Sequence, residues 1–451
     1  MNPFLRTKAL CLAAYLACTG PAQAQQFEIE DGVQGRAGIP VGIELRGLPP
    51  GAEVEIRAQR TLKHYYRRGQ PHLQYQSGAR FNADADGRIS LADSEAISGS
   101  YAGIDASGLF WSMQPTSEAS VSPDASIHLQ ALIDGAVVAT ASFELPSQSS
   151  SIEIEEIASL PGSYFARHPG PGERPAIIIV DGVDDLRVNR EILMPRLVEE
   201  GYSVLHFATY ALVYGPFESS TPELPSRYVD IPVDRLQEAH DWLVEQPGVD
   251  AERIGLYGFS RNGAYVVLAA TRFPWIEAVA GISPSDVVWE GWGEGVRLGT
   301  TTSYTWEGEA LAYVPYSENF FRETAKLARG EAARLRTPMD EGRWANPDRI
   351  AEARIPIETY DGALFLAGGE QDNVWSAGHM VQNMAERRAE AGLSTEFLVL
   401  PDAGHNIIHD GWNPTLLFET GEARAFEAQG QSQTWQATLA FLNDALDPSS
   451  Y

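Results

Sequence analysis

Cysteine is nearly absent. The 451 residues include two, Cys11 and Cys18, both within the first eighteen positions. If that segment is removed, nothing is left for disulfides, thiolate metal sites or a cysteine nucleophile. The remaining chain must be held by its core. Bases are also scarce, with 33 Lys and Arg against 61 Asp and Glu, a formal charge of −28. Such a surface repels nucleic acid and anionic membranes and serves mainly solubility. Beyond the N-terminus no apolar run reaches the roughly 20 residues of a membrane span. Neither a nucleic-acid partner nor stable membrane insertion is expected.

The N-terminus itself reads as an export signal. Arg6 and Lys8 precede an apolar run from Ala9 to Ala17, and Pro21-Ala22-Gln23-Ala24 supplies an A-x-A cleavage pattern. Residues 1–24 are expected to be a signal peptide cut after Ala24, and the mature protein to be periplasmic or secreted. Loss of the two bases takes the charge from −28 to −30.

The chain is longer than one core usually organises, and its grammar changes midway. Residues 25–146 read as a β-sandwich. Glu53 to Ala58 alternates apolar and charged residues, Arg88 to Leu91 repeats the pattern, and Asp134-Gly135 between Ile127–Leu132 and Val137–Phe143 is a type I′ hairpin signal. A serine-rich stretch at 146–151 reads as a linker. From 152 to 451 strands and helices alternate, which predicts an α/β domain with a mostly parallel sheet. Its strands are Ala176–Val180, Ser203–Ala208, Arg253–Tyr257, Ala278–Ile282, Ala363–Ala367 and Glu396–Leu400. Its helices are Arg190–Glu200, Ile231–Glu245, Gly263–Arg272, Ser376–Ala391 and Thr434–Leu446. An insertion at about 284–355, rich in Trp, Gly and Glu, has one helical piece near Phe320–Leu335. Its place between two sheet strands suits either a cap over the active edge or a surface excursion.

Gly258-Phe259-Ser260-Arg261-Asn262-Gly263 follows a strand and opens a helix, the setting of a nucleophile elbow. A serine there sits at a helix N-terminus, whose dipole and free N–H groups suit a developing oxyanion. The acid and base should follow in the order Ser, Asp or Glu, His. Asp372 comes after a buried strand in Gly368-Gly369-Glu370-Gln371-Asp372, with Glu370 as the competing acid. His405 follows the next strand in Ala403-Gly404-His405, with His409 as the nearby competitor. Ser260, Asp372 and His405 are thus the expected catalytic triad. The expected oxyanion donors are backbone N–H groups of Arg261 and of Gly182 or Val183, in the acidic loop 181–185. The Arg261 side chain is either a charge for an anionic substrate group or a surface arginine.

These residues resemble the family of bile acid-CoA:amino acid N-acyltransferases and type I acyl-CoA thioesterases over nearly the whole mature length. Gly47-Leu48-Pro49-Pro50-Gly51, Gly99 to Asp105 and Gly108 to Met113 look like the family's immunoglobulin-like N-terminal domain. Ile231-Pro232-Val233 and Ala239 to Leu243 resemble the segment before its elbow. The serine elbow, Gly369-x-x-Asp372, Val374-Trp375-Ser376 and Ala403-Gly404-His405 match its nucleophile, acid and base motifs. The resemblance implies an α/β-hydrolase fold after the sandwich, with Ser260 as nucleophile, Asp372 as acid and His405 as base. In one departure, Asn262 stands where the family usually has glycine, and its side chain is expected to narrow the elbow. In another, serine replaces the cysteine of the amino-acid-conjugating members, which points to water as acyl acceptor.

The expected activity is hydrolysis of a small-molecule acyl ester or thioester through an acyl-enzyme, with no metal or organic cofactor required. A peptidase or amidase on the same scaffold, and an inactive binding protein of hydrolase fold, are the alternatives. Oligomeric state is not legible.

Overall fold

The computed structural model describes residues 24–29, 42–62, 72–119, 126–144, 152–167, 171–183, 189–213, 219, 221–328, 333–408 and 422–448. The signal segment before Ala24, the linker 146–151, Asp184 and Asp185 of the acidic loop, and His409 lie outside them.

The N-terminal half is all antiparallel. One sheet pairs Gln26–Ile29, Ile43–Arg46 and Ile89–Ser90. The other contains Glu53–Leu62, His72–Asn82, Ser98–Gly99, Gln114–Ala119, Ser126–Ile133 and Ala136–Glu144. Both sheets turn apolar residues into one core. Ile43, Leu45 and Ile89 from the first meet Val54, Ile56, Phe81 and Leu129 from the second, which makes a sandwich. Asp134 and Gly135 have φ of 49° and 80°, the two left-handed positions that a type I′ hairpin demands.

The second half is built on eight strands: β1 Ile154–Glu156, β2 Tyr164–Ala166, β3 Arg174–Gly182, β4 Ser203–Tyr210, β5 Val249–Phe259, β6 Ala278–Ile282, β7 Ala363–Gly369 and β8 Glu396–Leu400. Their order across the sheet is 1-2-4-3-5-6-7-8. β2 runs against both neighbours, and the rest are parallel. This is the α/β-hydrolase arrangement. The continuous apolar run in β3 is buried on both faces, as a central parallel strand requires. Ile178 and Val180 point into one core, and Ile177 and Ile179 into the other.

The helices of this half are α1 Met194–Glu199, α2 Leu236–Val244, α3 Arg261–Ala270, α4 Phe320–Ala328, α5 Arg336–Ala345, α6 Pro347–Ala353, α7 Ala377–Glu390 and α8 Glu422–Leu446. Four expectations need correction. The Arg190–Glu200 helix opens as a π-helical turn, Asn189–Leu193. The Ile231–Glu245 segment begins as a two-residue strand and a 3₁₀ turn, because Ile231 and Pro232 pair with Tyr304 and Thr305 of the insertion. The single helical piece in the insertion is three helices, the last opened by Pro347. The final helix starts twelve residues earlier than Thr434.

The insertion packs down as a cap. Val287, Trp289, Val314, Tyr316, Phe320 and Met339 share a core with Trp375, Ala377 and Met380, which follow the acid loop. Arg343 pairs with Asp286 at 2.7 Å. α8 reaches both halves of the molecule. Its Ala428 is buried in the sandwich core, while Trp435, Phe441, Leu442 and Leu446 lie against the sheet.

Candidate active site

The turn from β5 to α3 places Ser260. Its φ of 59° and ψ of −121° are a conformation L residues rarely hold, costing on the order of 1–3 kcal/mol. Its N–H donates to the Ile282 carbonyl at 2.8 Å, which helps to hold the turn. Glycine is required on both sides. A Cβ on Gly258 would lie 2.2 Å from the Asn262 carbonyl, and one on Gly263 would lie 2.8 Å from the Ile282 carbonyl.

Asn262 does not narrow this elbow. It stands inside α3, without a left-handed backbone, and its amide turns inward. The amide donates to Asp181 Oδ1 at 3.2 Å and to the Tyr210 hydroxyl at 3.3 Å. The close approaches are made by the backbone, not by this side chain.

The loop after β7 carries Asp372, fully buried. Its Oδ1 accepts the N–H groups of Val374 at 2.6 Å and Trp375 at 3.1 Å. Its Oδ2 faces the loop after β8, where His405 Nδ1–H donates to it at 2.7 Å. On the other side of the ring, the Ser260 hydroxyl donates to His405 Nε2 at 2.8 Å. Three residues that are distant in sequence therefore form one hydrogen-bonded line at the carboxyl edge of the sheet. Glu370, the competing acid, is exposed at the surface.

The imidazole is held by its surroundings. The Phe259 and Trp375 rings flank it, each 5.1 Å away. The Ser283 hydroxyl donates to the His405 carbonyl at 2.8 Å, and Trp375 Nε1 donates to the Ser283 carbonyl at 3.2 Å. The loop closes so tightly that a Cβ on Gly369 would lie 2.2 Å from the carbonyls of Ala403 and Gly404. Behind it, α8 grips the next residue. Glu427 accepts the Asn406 N–H, and Gln431 donates to the Asn406 carbonyl.

The oxyanion expectation is corrected at two of three positions. The Gly182 N–H is donated to the carboxylate of its neighbour Asp181 at 2.8 Å, and the Val183 N–H to the Tyr210 carbonyl at 2.8 Å. Gly182 is committed because the buried Asp181 carboxylate must find its donors within the protein, and Val183 because the pairing of β3 with β4 runs on to Tyr210. The Arg261 N–H, at the first position of α3, belongs to the helical turn whose donors have no partner inside the helix.

Sequence reading missed the structural part played by Asp181. It also takes the Asn189 amide at 2.9 Å, and His206 Nε2 lies 3.5 Å away. The signal was present, since Asp181 directly continues the apolar run Ala176–Val180 and shares that strand's burial. Asp181→Ala is expected to cost about 3 kcal/mol, since several buried donors lose their acceptor. Asp181→Asn should cost less. Urea unfolding midpoints check both.

Residues 39–131 match a family model described as "Acyl-CoA thioester hydrolase/BAAT N-terminal region", and residues 231–448 match "BAAT / Acyl-CoA thioester hydrolase C terminal". Human mitochondrial acyl-coenzyme A thioesterase 2 is 24% identical over 432 residues, covering 90% of this chain and 81% of the relative. Human acyl-coenzyme A thioesterase 1 is 24% identical over the same length, covering 90% and 93%. Among solved structures, an esterase from Pyrococcus furiosus aligns with a TM-score of 0.39 and 15% identity, over 66% of this chain and 88% of that one.

Proposed function

Because this chain belongs to the family of acyl-CoA thioester hydrolases and bile acid-CoA:amino acid N-acyltransferases, we propose that it hydrolyses acyl esters or thioesters through an acyl-enzyme on Ser260. The observation that carries this reading is the line Ser260–His405–Asp372, with contacts of 2.8 and 2.7 Å. His405 takes the hydroxyl proton as Ser260 attacks the carbonyl carbon. Asp372, its other oxygen occupied by two backbone N–H groups, fixes the ring and offsets the charge that forms on it. The Arg261 N–H faces the oxyanion. The leaving group departs with the proton from His405, and water then cleaves the acyl-serine by the same base. A serine nucleophile favours water as acceptor over an amine.

The relatives' names point to coenzyme A as leaving group. The N-terminal signal pattern favours a periplasmic or secreted protein, where simple esters are the more accessible substrates. One experiment addresses both. Protein recovered from the periplasm or medium, its N-terminus expected at Gln25, is profiled against acyl-CoAs, nitrophenyl esters and amides, and exposed to a fluorophosphonate probe. Turnover of esters or thioesters and a label on Ser260 are expected. Faster turnover of amides, or no label, would overturn the assignment.

A further inference from the structure

An α/β-hydrolase holds its oxyanion with two donors, the N–H after the nucleophile and a second from the loop that follows β3. Here the first is the N–H of Arg261. In the loop, the Gly182 N–H is taken by Asp181 and the Val183 N–H by Tyr210. The second place calls for another donor.

A hydroxyl stands beside it. The ring of Tyr210, the last residue of β4, lies directly over Gly182. A Cβ on Gly182 would meet the ring's Cε2 at 2.2 Å and its Cζ at 2.6 Å. Residue 182 is therefore glycine so that the ring can reach across β3. The hydroxyl at its far end arrives 3.3 Å from the side-chain amide of Asn262, two residues beyond Ser260 in the first turn of α3. It is bracketed between the loop expected to supply the donor and the helix that follows the nucleophile. Packing fixes the ring from another side as well. Tyr228 meets it edge-on at 4.9 Å, and the Arg261 guanidinium stands over Tyr228 at 5.0 Å.

Asn262 gives this hydroxyl a direction. A carboxylate only accepts, so Asp181 draws the NH₂ of Asn262 toward its Oδ1 at 3.2 Å. The same NH₂ then donates to the Tyr210 oxygen. An oxygen that accepts there turns its own O–H away from the amide, and accepting makes that O–H a stronger donor. Glycine, the usual residue at position 262 in the family that the elbow resembles, has no side chain with which to do this. Asp181, Asn262 and Tyr210 are all buried, and away from water a hydrogen bond to a developing charge is worth far more.

Building on the acyl-enzyme reading, we propose that Tyr210 is a catalytic residue whose hydroxyl is the second oxyanion donor, and that Asn262 is the positioning residue that aims it. As Ser260 Oγ bonds to the carbonyl carbon, the π pair of the carbonyl moves to its oxygen. The Tyr210 O–H and the Arg261 N–H share that charge, and both keep their protons. When the pair returns, the bond to the leaving group breaks.

Tyr210→Phe keeps the ring and removes only the hydroxyl. It should lower kcat on a nitrophenyl ester by about 10²–10³-fold, with KM within about threefold of wild type. A trifluoromethyl ketone of matching chain length separates catalysis from structure. Ser260 adds to its carbonyl, the proton passes to His405, and the oxygen becomes an oxyanion with no leaving group to expel. Its inhibition constant should rise by about the factor lost in kcat/KM. The corresponding alcohol, which forms no adduct, should inhibit as before. Asn262→Gly should lose about tenfold in kcat and in ketone affinity, and the double variant should be no slower than Tyr210→Phe. If Tyr210→Phe does not fold, Asn262→Gly decides: a loss of about fivefold or more in both quantities supports the proposal, and a smaller one overturns it. A folded Tyr210→Phe within about threefold of the wild-type kcat, or one slowed with the ketone bound as tightly as before, overturns it while leaving the acyl-enzyme intact. Wild type that turns over no ester or thioester and takes no label on Ser260 overturns the acyl-enzyme and this proposal with it.

Discussion

Ser260→Ala is expected to lower kcat on a nitrophenyl ester by about 10⁵-fold or more, with the unfolding midpoint nearly unchanged. The hydroxyl is the group whose proton His405 Nε2 is placed to take, at 2.8 Å. Removing it leaves only binding and oxyanion stabilisation, which in serine hydrolases still give about 10³–10⁴ over water. The backbone reason for stability is separate. The left-handed turn is held by the Ser260 N–H to Ile282 and by Gly258 and Gly263, and alanine keeps all three. Steady-state hydrolysis and fluorophosphonate labelling measure the loss. A variant that retained a tenth of the wild-type rate would remove Ser260 from the mechanism.

Asp372→Asn should reduce kcat by about 10⁴-fold with KM little changed. The reasoning is one of tautomers. Oδ1 is already an acceptor for the Val374 and Trp375 N–H groups, so an asparagine keeps its oxygen there and turns its NH₂ toward His405. Nδ1 must then accept, which puts the ring proton on Nε2, facing Ser260. A nitrogen that carries a proton cannot take one. Glu370→Gln serves as the contrast: the side chain is exposed, and its variant should keep near wild-type kcat. An equal loss in both variants, or in Glu370→Gln alone, would reverse the assignment of the acid.

The parts of this fold that were legible in sequence are those written in periodicity or turn chemistry. The β3 run, buried on both faces, and the Asp134-Gly135 hairpin are readable because few other structures tolerate those patterns. β1 and β2 were not read, since three residues each are too short to display a period, and their direction is set by partners elsewhere in the chain. The insertion was read as a single helix because its three helices, of 9, 10 and 7 residues, are too short to display a clear helical period. At the site, Ser260, Asp372 and His405 could be named because each follows a strand in a required order. The engagement of Gly182 and Val183 could not, because it depends on where Asp181 and Tyr210 turn after folding. The same holds for Asn262, which has a buried partner that sequence does not reveal.

α8 links events that the sequence keeps far apart. One stretch of this helix contributes Ala428 to the core of the β-sandwich, and the turns around it clasp Asn406, the residue beside the imidazole. The N-terminal half is therefore not a detachable appendage. Shortening the protein to its hydrolase half would strip the cover from Ala428 and slacken the brace behind the general base, so the smallest unit able to hold its proton acceptor in register includes both halves.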